Sequence, residues 1–101
     1  MRICALVVDL MDRSRISAAV PDAQFVRDAA ACAGAEVVVI DLARSGNHVR
    51  AVRESVPTAR IVCFGPHVDE DGAGTALAAG ADVVLPRSRF FKDPSAALLG
   101  A

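Results

Sequence analysis

Tryptophan and tyrosine are absent, and four phenylalanines are the only aromatic residues. A core made from this chain must therefore be one of Val, Ala, Leu and Ile. Excess charge of either sign is also lacking: 11 Lys and Arg stand against 12 Asp and Glu, a formal net charge of −1. That balance leaves no electrostatic footprint for nucleic acid. No apolar run approaches the ~20 residues that span a bilayer, so no membrane partner is expected. A signal peptide is not expected either, because Asp9 and Asp12 interrupt the apolar start at Met1–Val8. Cysteine is scarce and odd in number: Cys4, Cys32 and Cys63, each in apolar surroundings. They read as buried, reduced thiols of a cytoplasmic protein.

What remains is a chain of 101 residues, 53% hydrophobic and 23% charged. This composition excludes disorder and suits one domain over residues 1–101. The organising stretch is Glu36–Leu42, EVVVIDL. An unbroken β-branched run that does not alternate suits a strand covered on both faces, as in the middle of a parallel sheet. Asp41 then closes a central strand at its carboxyl end, the rim where ligands gather in open α/β sheets.

In chain order, Arg2–Val8 is a second apolar run, again ended by an aspartate, Asp9. Asp12 is placed to cap a helix through Ala19, which Pro21 stops. Ala23–Arg27 is a short strand, and Asp28–Ala33 is an Ala-rich helix stopped by Gly34. Ser45-Gly46 is a turn, and Asn47 caps a helix through Val56, ended by Pro57. Arg60–Phe64 is a strand, Asp71 or a neighbour caps a helix ending at Gly80, and Asp82–Leu85 is a strand. Asp93, with Pro94 at the first helical position, opens a last short helix. Strand and helix alternate five times, which predicts a doubly wound parallel sheet with right-handed crossovers. One alternative leaves four strands, with Met11–Gly34 a long helix interrupted at Pro21. The strand character of Gln24-Phe25-Val26 favours five.

Four pieces carry a resemblance: VVDL at Val7–Leu10, VVVIDL at Val37–Leu42, IVCFGPHVDED at Ile61–Asp71 and ALAAGADVVLPRSRF at Ala76–Phe90. The last is the most specific, an Ala-rich helix, Gly-Ala-Asp, an apolar strand, Pro and a basic residue. Over nearly its whole length the chain resembles the receiver domain of bacterial two-component response regulators, the CheY-like group. The resemblance implies a flavodoxin-like α/β fold: five parallel strands in the order 2-1-3-4-5, helices on both faces. The crevice between strands one and three would then hold Asp9 and Asp41 side by side.

The resemblance also implies a site. Receivers accept a phosphoryl group on the aspartate that ends strand three, here Asp41. The chemistry needs a Mg²⁺ ion held by carboxylates, here Asp9 and Asp41, and a cation on the phosphoryl oxygens. Several positions depart from the family pattern. The second acid beside Asp9 is Leu10. The hydroxyl residue after strand four is Gly65, the lysine after strand five is Arg87, and the proline after that lysine is Ser88. Val84 stands nearest the switch aromatic, and the loop after the acceptor is Ala43-Arg44-Ser45-Gly46. The pattern is that of a degenerate receiver, a pseudo-receiver, with a pocket of Asp9, Asp41, Gly65 and Arg87.

Electrostatics bears on what fills such a pocket. Two carboxylates ~4 Å apart repel by roughly 4 kcal/mol at an effective dielectric of 20. A metal, a proton or an arginine must offset this. Arg87 is placed to do so, and a guanidinium grips a carboxylate with two parallel hydrogen bonds. The expectation is a pocket locked by Arg87 on Asp41 or Asp9; the other reading is a rim arginine in solvent. His48 and His67 read as solvated, and Asp69-Glu70-Asp71 as helix-start acids rather than a metal cluster. Arg13, Arg15, Arg44, Arg87 and Arg89 fall near the strand ends, as solvated loop residues or as an anion-binding rim. A Cys4–Cys63 disulfide is not expected, because strand three separates their strands.

The reading is a stand-alone, non-enzymatic signalling or protein-interaction module, independent of phosphorylation and without a cofactor, Mg²⁺ being the one candidate. The alternatives are a true receiver phosphorylated on Asp41 and a small-anion or nucleotide sensor at the arginine rim. The partner is a protein or a second copy. The expected surface is Phe90, Phe91, Leu98 and Leu99, since adjacent phenylalanines rarely enter one core and the last helix is short. In the other reading both rings fold under the segment at Arg87–Asp93.

Overall fold

The structure, a computed structural model, describes residues 1–66 and 70–100, and for residue 70 the backbone alone. Five strands form one sheet: β1 (Ile3–Leu6), β2 (Ala23–Phe25), β3 (Val37–Asp41), β4 (Arg60–Gly65) and β5 (Val83–Pro86). Their order is β2-β1-β3-β4-β5, and every pairing is parallel. Among the described residues six helices accompany them: α1 (Leu10–Ala19), α2 (Leu42–Ser45), α3 (Val49–Ser55), α4 (Glu70–Ala79), α5 (Arg87–Lys92) and α6 (Pro94–Leu99). The five-strand expectation and the strand order hold, and the long-helix alternative does not.

The apolar runs are unbroken because both sheet faces are covered. All of β1 and all of β3 are buried. Side chains alternate between two clusters, as the pleat requires. Cys4, Leu6, Val38, Ile40, Ile61 and Cys63 meet Val49 and Val52 of α3 and Ala76 of α4. Ile3, Ala5, Val7, Val39, Val62 and Phe64 meet Ile16 of α1, Phe90 of α5 and Leu98 of α6.

Local chemistry moves several boundaries. The cap of α1 is Asp9, not Asp12: the Asp9 side chain accepts the Asp12 N–H at 3.0 Å. Asp28–Ala33 is not a helix but a 3₁₀ turn at Ala30–Cys32, with Asp28 accepting the Ala31 N–H at 2.9 Å. Gly34, whose φ is +81°, follows the turn. No turn opens at Ser45-Gly46, because Asp41 caps α2 directly through the Ala43 N–H at 3.0 Å. A 3₁₀ turn at Gly46–His48 then leads into α3, so Asn47 caps nothing. The segment after β5 is helical, as α5. Asp93 opens α6 as its composition implies, accepting the Ala96 N–H at 3.1 Å, with Pro94 in the first turn. Any cap of α4 at Asp69, and His67 with it, lies outside the described residues.

The amino ends of the strands are tied by Arg53 of α3. Its guanidinium donates to the carbonyls of Gly80, Pro57 and Ala59 at 3.0, 2.9 and 2.8 Å, and to Asp82 at 2.7 Å. Asp82 also accepts the Ile61 N–H at 2.8 Å, joining the start of β4 to that of β5. Gly80 is required twice over. Its φ is +124°, and a Cβ there would lie 2.7 Å from the Arg53 side chain.

Candidate functional site

The carboxyl ends of β1, β3 and β5 bring Asp9, Asp12, Asp41 and Arg87 to one crevice. Asp41 is the last residue of β3 and is almost fully buried. Its Oδ1 accepts the Ala43 N–H, so the carboxylate turns toward the first turn of α2. Burial pushes its pKa up; the Ala43 hydrogen bond and the Arg87 and Arg44 charges pull it back, and the Asp12 charge pushes it further up. Asp9 is different. The Asp12 N–H, chiefly, and the Met11 N–H hold its carboxyl below the usual carboxylate value.

Asp12 is the residue that sequence reasoning missed. It lies at the third position of α1, and with Ile16 and Val20 it follows a four-residue spacing that faces the sheet. That spacing was the available signal: an aspartate in the position of a core residue. Only 4% of its side chain is exposed, so it must be paired. Arg87, the first residue of α5, supplies the partner. Nη2 donates to Asp12 Oδ1 at 2.6 Å and Nη1 to Oδ2 at 2.8 Å. The Asp12 hydrogen bonds raise the Arg87 pKa still further, against the opposing effect of burial.

The expected pair of Arg87 with Asp41 or Asp9 is therefore corrected to Arg87 with Asp12. The physical reason is reach and saturation. Both guanidinium prongs are taken by the carboxylate that α1 turns inward, while Asp9 and Asp41 are engaged by backbone N–H groups. Arg87 acts on both of these through its charge alone. The reading of Arg87 as a rim arginine in solvent fails, since its side chain is 33% exposed and the fork is closed on Asp12.

Aromatic rings hold the guanidinium from behind. The Arg87 Cζ lies 5.5 Å from the Phe64 ring centre and 5.1 Å from that of Phe91. Phe64 stacks on Phe90 at 4.7 Å, and Phe91 meets both edge-on at 5.1 and 4.9 Å. Three of the four phenylalanines thus form the floor under Arg87. This corrects the expected surface of Phe90, Phe91, Leu98 and Leu99. Phe90 and Leu98 are fully buried, Phe91 is half-buried, and Leu99 alone is exposed. Adjacent phenylalanines enter one core here because α5 is a helix: Phe90 points in and Phe91 turns along the flank to Arg87.

The rest of the rim is only partly committed to the protein itself, with Arg44 and Arg89 exposed. Arg13 donates to the Val7 carbonyl at 2.6 Å and lies over the Phe25 ring, and Arg15 lies over Phe91. Gly65, in the position of the receiver hydroxyl, pairs with Pro86 and brings no side chain. Beyond it lies an open cleft of about 460 Å³, bounded by Leu42, Ala43, Pro66, Ala76 and Ala79. Its one side-chain hydroxyl, that of Thr75, is donated to the Asp71 carbonyl at 2.9 Å.

A divalent cation of the receiver type would need free carboxylate oxygens converging on one point. Among the described residues no group of three or more His, Cys, Asp and Glu side chains does so. Both Asp12 oxygens are held by Arg87, whose fixed positive charge stands beside the crevice. Asp9 and Asp41, the expected pair of metal ligands, each have one oxygen committed to a backbone N–H. What is left for Mg²⁺ is one oxygen each on Asp9 and Asp41, beside the fixed charge of Arg87.

The sequence matches no family model and no curated protein. Solved structures are similar in fold. A response regulator from Burkholderia pseudomallei with a phosphorylated aspartic acid, calcium ion and citrate superposes with a TM-score of 0.80 at 17% identity. That match covers 96% of this chain and 65% of the other. A response regulator receiver domain protein from Clostridium thermocellum gives 0.76 at 17% identity, over 95% of this chain and 89% of the other. A response regulator from Hahella chejuensis gives 0.73 at 21% identity, over 87% and 80%. Among the described residues no helix is long and apolar enough to cross a membrane. The chain folds as the receiver domains of response regulators do, with an arginine–aspartate clasp at its crevice.

Proposed function

We propose that this receiver-like domain is a non-enzymatic signalling module that works by binding a protein partner, independently of phosphoryl transfer to Asp41. The observation that carries the reading is the two-pronged bond between Arg87 and the buried Asp12. In a phosphorylated receiver, the cation after strand five meets a phosphoryl oxygen when one arrives. Here the corresponding side chain is already saturated by a permanent anion. Leu10 in place of an acid and Gly65 in place of a hydroxyl point the same way. The arginine rim is reduced as an anion sensor, since Arg13, Arg15 and Arg87 each have a partner within the fold, leaving Arg44 and Arg89 exposed.

Binding then rests on exposed apolar groups at the surface. Val8, Leu10 and Met11 stand together in sequence at the mouth of the crevice, with Leu10 78% and Met11 68% exposed. Exposed apolar patches of this kind commonly mark interfaces with proteins. The test is incubation of the whole chain with acetyl phosphate and Mg²⁺, followed by intact mass. No added phosphoryl group is expected. A gain of one phosphoryl group that Asp41→Asn abolishes overturns the reading in favour of a working receiver.

A further inference from the structure

α4 is a helix of ten residues with little to hold its first half. α3 buries Val49 and Val52 in the core, and α1 buries Ile16. α4 turns alanines inward instead: Ala76 is buried, and Ala79 packs half-buried against the same cluster. Its one large apolar side chain, Leu77, faces outward and is 48% exposed. From Asp71 to Thr75 no side chain is buried. Short helices in proteins depend on such packing, because their own hydrogen bonds barely repay nucleation.

The composition of that half weakens it further. Gly72 and Gly74 lie inside the helix, where glycine is less favourable than any residue but proline. No close contact requires the second of them: a Cβ at Gly74 would meet nothing within 4 Å. The Thr75 hydroxyl bonds back to the Asp71 carbonyl at 2.9 Å, an arrangement that slightly destabilises helices. The carboxyl end is held differently. The Gly80 and Ala81 N–H groups donate to the Leu77 and Ala76 carbonyls, each at 3.0 Å. Arg53 holds the Gly80 carbonyl at 3.0 Å and packs where a Gly80 Cβ would be. One end of α4 is fastened to the base of the sheet, and the other rests on little but its own backbone.

We propose that the amino-terminal half of α4 opens by itself while the sheet stays folded, hinged at the Arg53–Gly80 fastening. The opening has a structural consequence. Gly72, Thr75, Ala76 and Ala79 form the α4 wall of the apolar cleft, and Leu42 and Ala43 of α2 stand opposite. Unwinding the first turns takes part of that wall away and uncovers Leu42 and Ala43, at the start of the helix that Asp41 caps. The domain thereby has a second conformation that needs neither a phosphoryl group nor a change at Arg87. A partner that binds one of the two forms better shifts their ratio. The inference goes beyond the function proposed above and stands or falls apart from it, since it uses neither Asp12 nor Arg87.

The test is amide hydrogen exchange on the whole chain, read residue by residue by NMR and corrected for intrinsic rates. In an α-helix the N–H groups of Thr75, Ala76 and Leu77 bond to the carbonyls of residues 71–73, so they report on the first half. They should exchange about 100-fold or more faster than Val52 of α3 and Val62 of β4. Low urea should speed Val62 and leave these three unchanged, because a local opening exposes little new surface. Gly74→Ala, which has room for its methyl, should slow the three amides about fivefold. Protection equal to that of Val62, or the same steep urea dependence, would mean that α4 opens only with the whole fold and would overturn the proposal. Unchanged exchange in Gly74→Ala would overturn it as well, since the opening would then not unwind this half of the helix.

Discussion

At the amino ends of the strands an arginine, Arg53, holds main-chain carbonyls; at the carboxyl ends another, Arg87, holds a carboxylate. Arg53 joins α3 to the starts of β4 and β5 through Gly80, Pro57, Ala59 and Asp82. Most of its acceptors are carbonyls that any sequence would present there, with the Asp82 carboxylate beside them, so its work is to fix the fold. Arg87 faces Asp12, a side chain that need not have been acidic, and lies on two aromatic rings. Its acceptor sits in the crevice where this fold places its chemistry. One end of the sheet is held mostly through backbone acceptors, and the other through a pair of charges alone. In the function proposed above, that difference separates what makes the domain fold from what decides its use.

The comparison breaks most visibly at Arg53. Arg53→Ala strips several carbonyls of a donor at once. At about 0.5–1.5 kcal/mol net per hydrogen bond, with water reaching a side chain that is 24% exposed, a loss of about 3 kcal/mol is expected. Urea unfolding at neutral pH measures it. A loss below about 1 kcal/mol would mean that the amino-end staple does not hold the fold.

Arg87→Ala should have the next largest effect. It leaves Asp12 buried without its partner, which costs about 3–5 kcal/mol when fully enclosed. With one-third of the arginine side chain open to water, about 2 kcal/mol is expected. Arg87→Lys should recover part of this, since a lysine keeps the charge and loses the fork. Equal stability of the alanine variant and the parent would remove the clasp from the account.

The smallest effect concerns Asp41. Burial raises its folded pKa above the unfolded value, so the unfolded chain releases this proton first as pH rises. The carboxylate therefore weakens the fold at neutral pH, and the penalty fades as pH falls through the raised folded pKa toward 3.8, the ordinary value. Asp41→Asn keeps an oxygen for the Ala43 N–H, so a gain below about 1 kcal/mol is expected at pH 7. Unfolding curves across acid pH should show the gain shrink. A constant loss at every pH would contradict the sign.

The same contrast explains what was legible in the sequence. The strands were plain because β1 and β3 are covered on both faces and so read as unbroken apolar runs. Gly80-Ala81-Asp82, within the most specific piece of the resemblance, lies at the structural end of the sheet. Gly80 and Asp82 meet Arg53, and Ala81 is buried. It announces the fold and is silent on function. The crevice was half legible. Asp9, Asp41 and Arg87 converge, but their pairing depended on Asp12, which composition marks as a helix-start acid. Only its spacing to Ile16 and Val20 shows that it faces inward. Phe90 and Phe91 were misplaced because the α5 helix between β5 and Asp93 leaves no mark in a stretch as polar as Arg87–Lys92.

The central claim is that the crevice is closed by its own arginine. The direct measurement is a titration of the unmodified chain with Mg²⁺, against NaCl at matched ionic strength, following the backbone amide resonances of Asp9, Asp12, Asp41 and Ala43. The account predicts the same small shifts in both salts, with no saturation. Saturating shifts at these amides in Mg²⁺ alone would show that a cation enters the crevice past Arg87, and would contradict it.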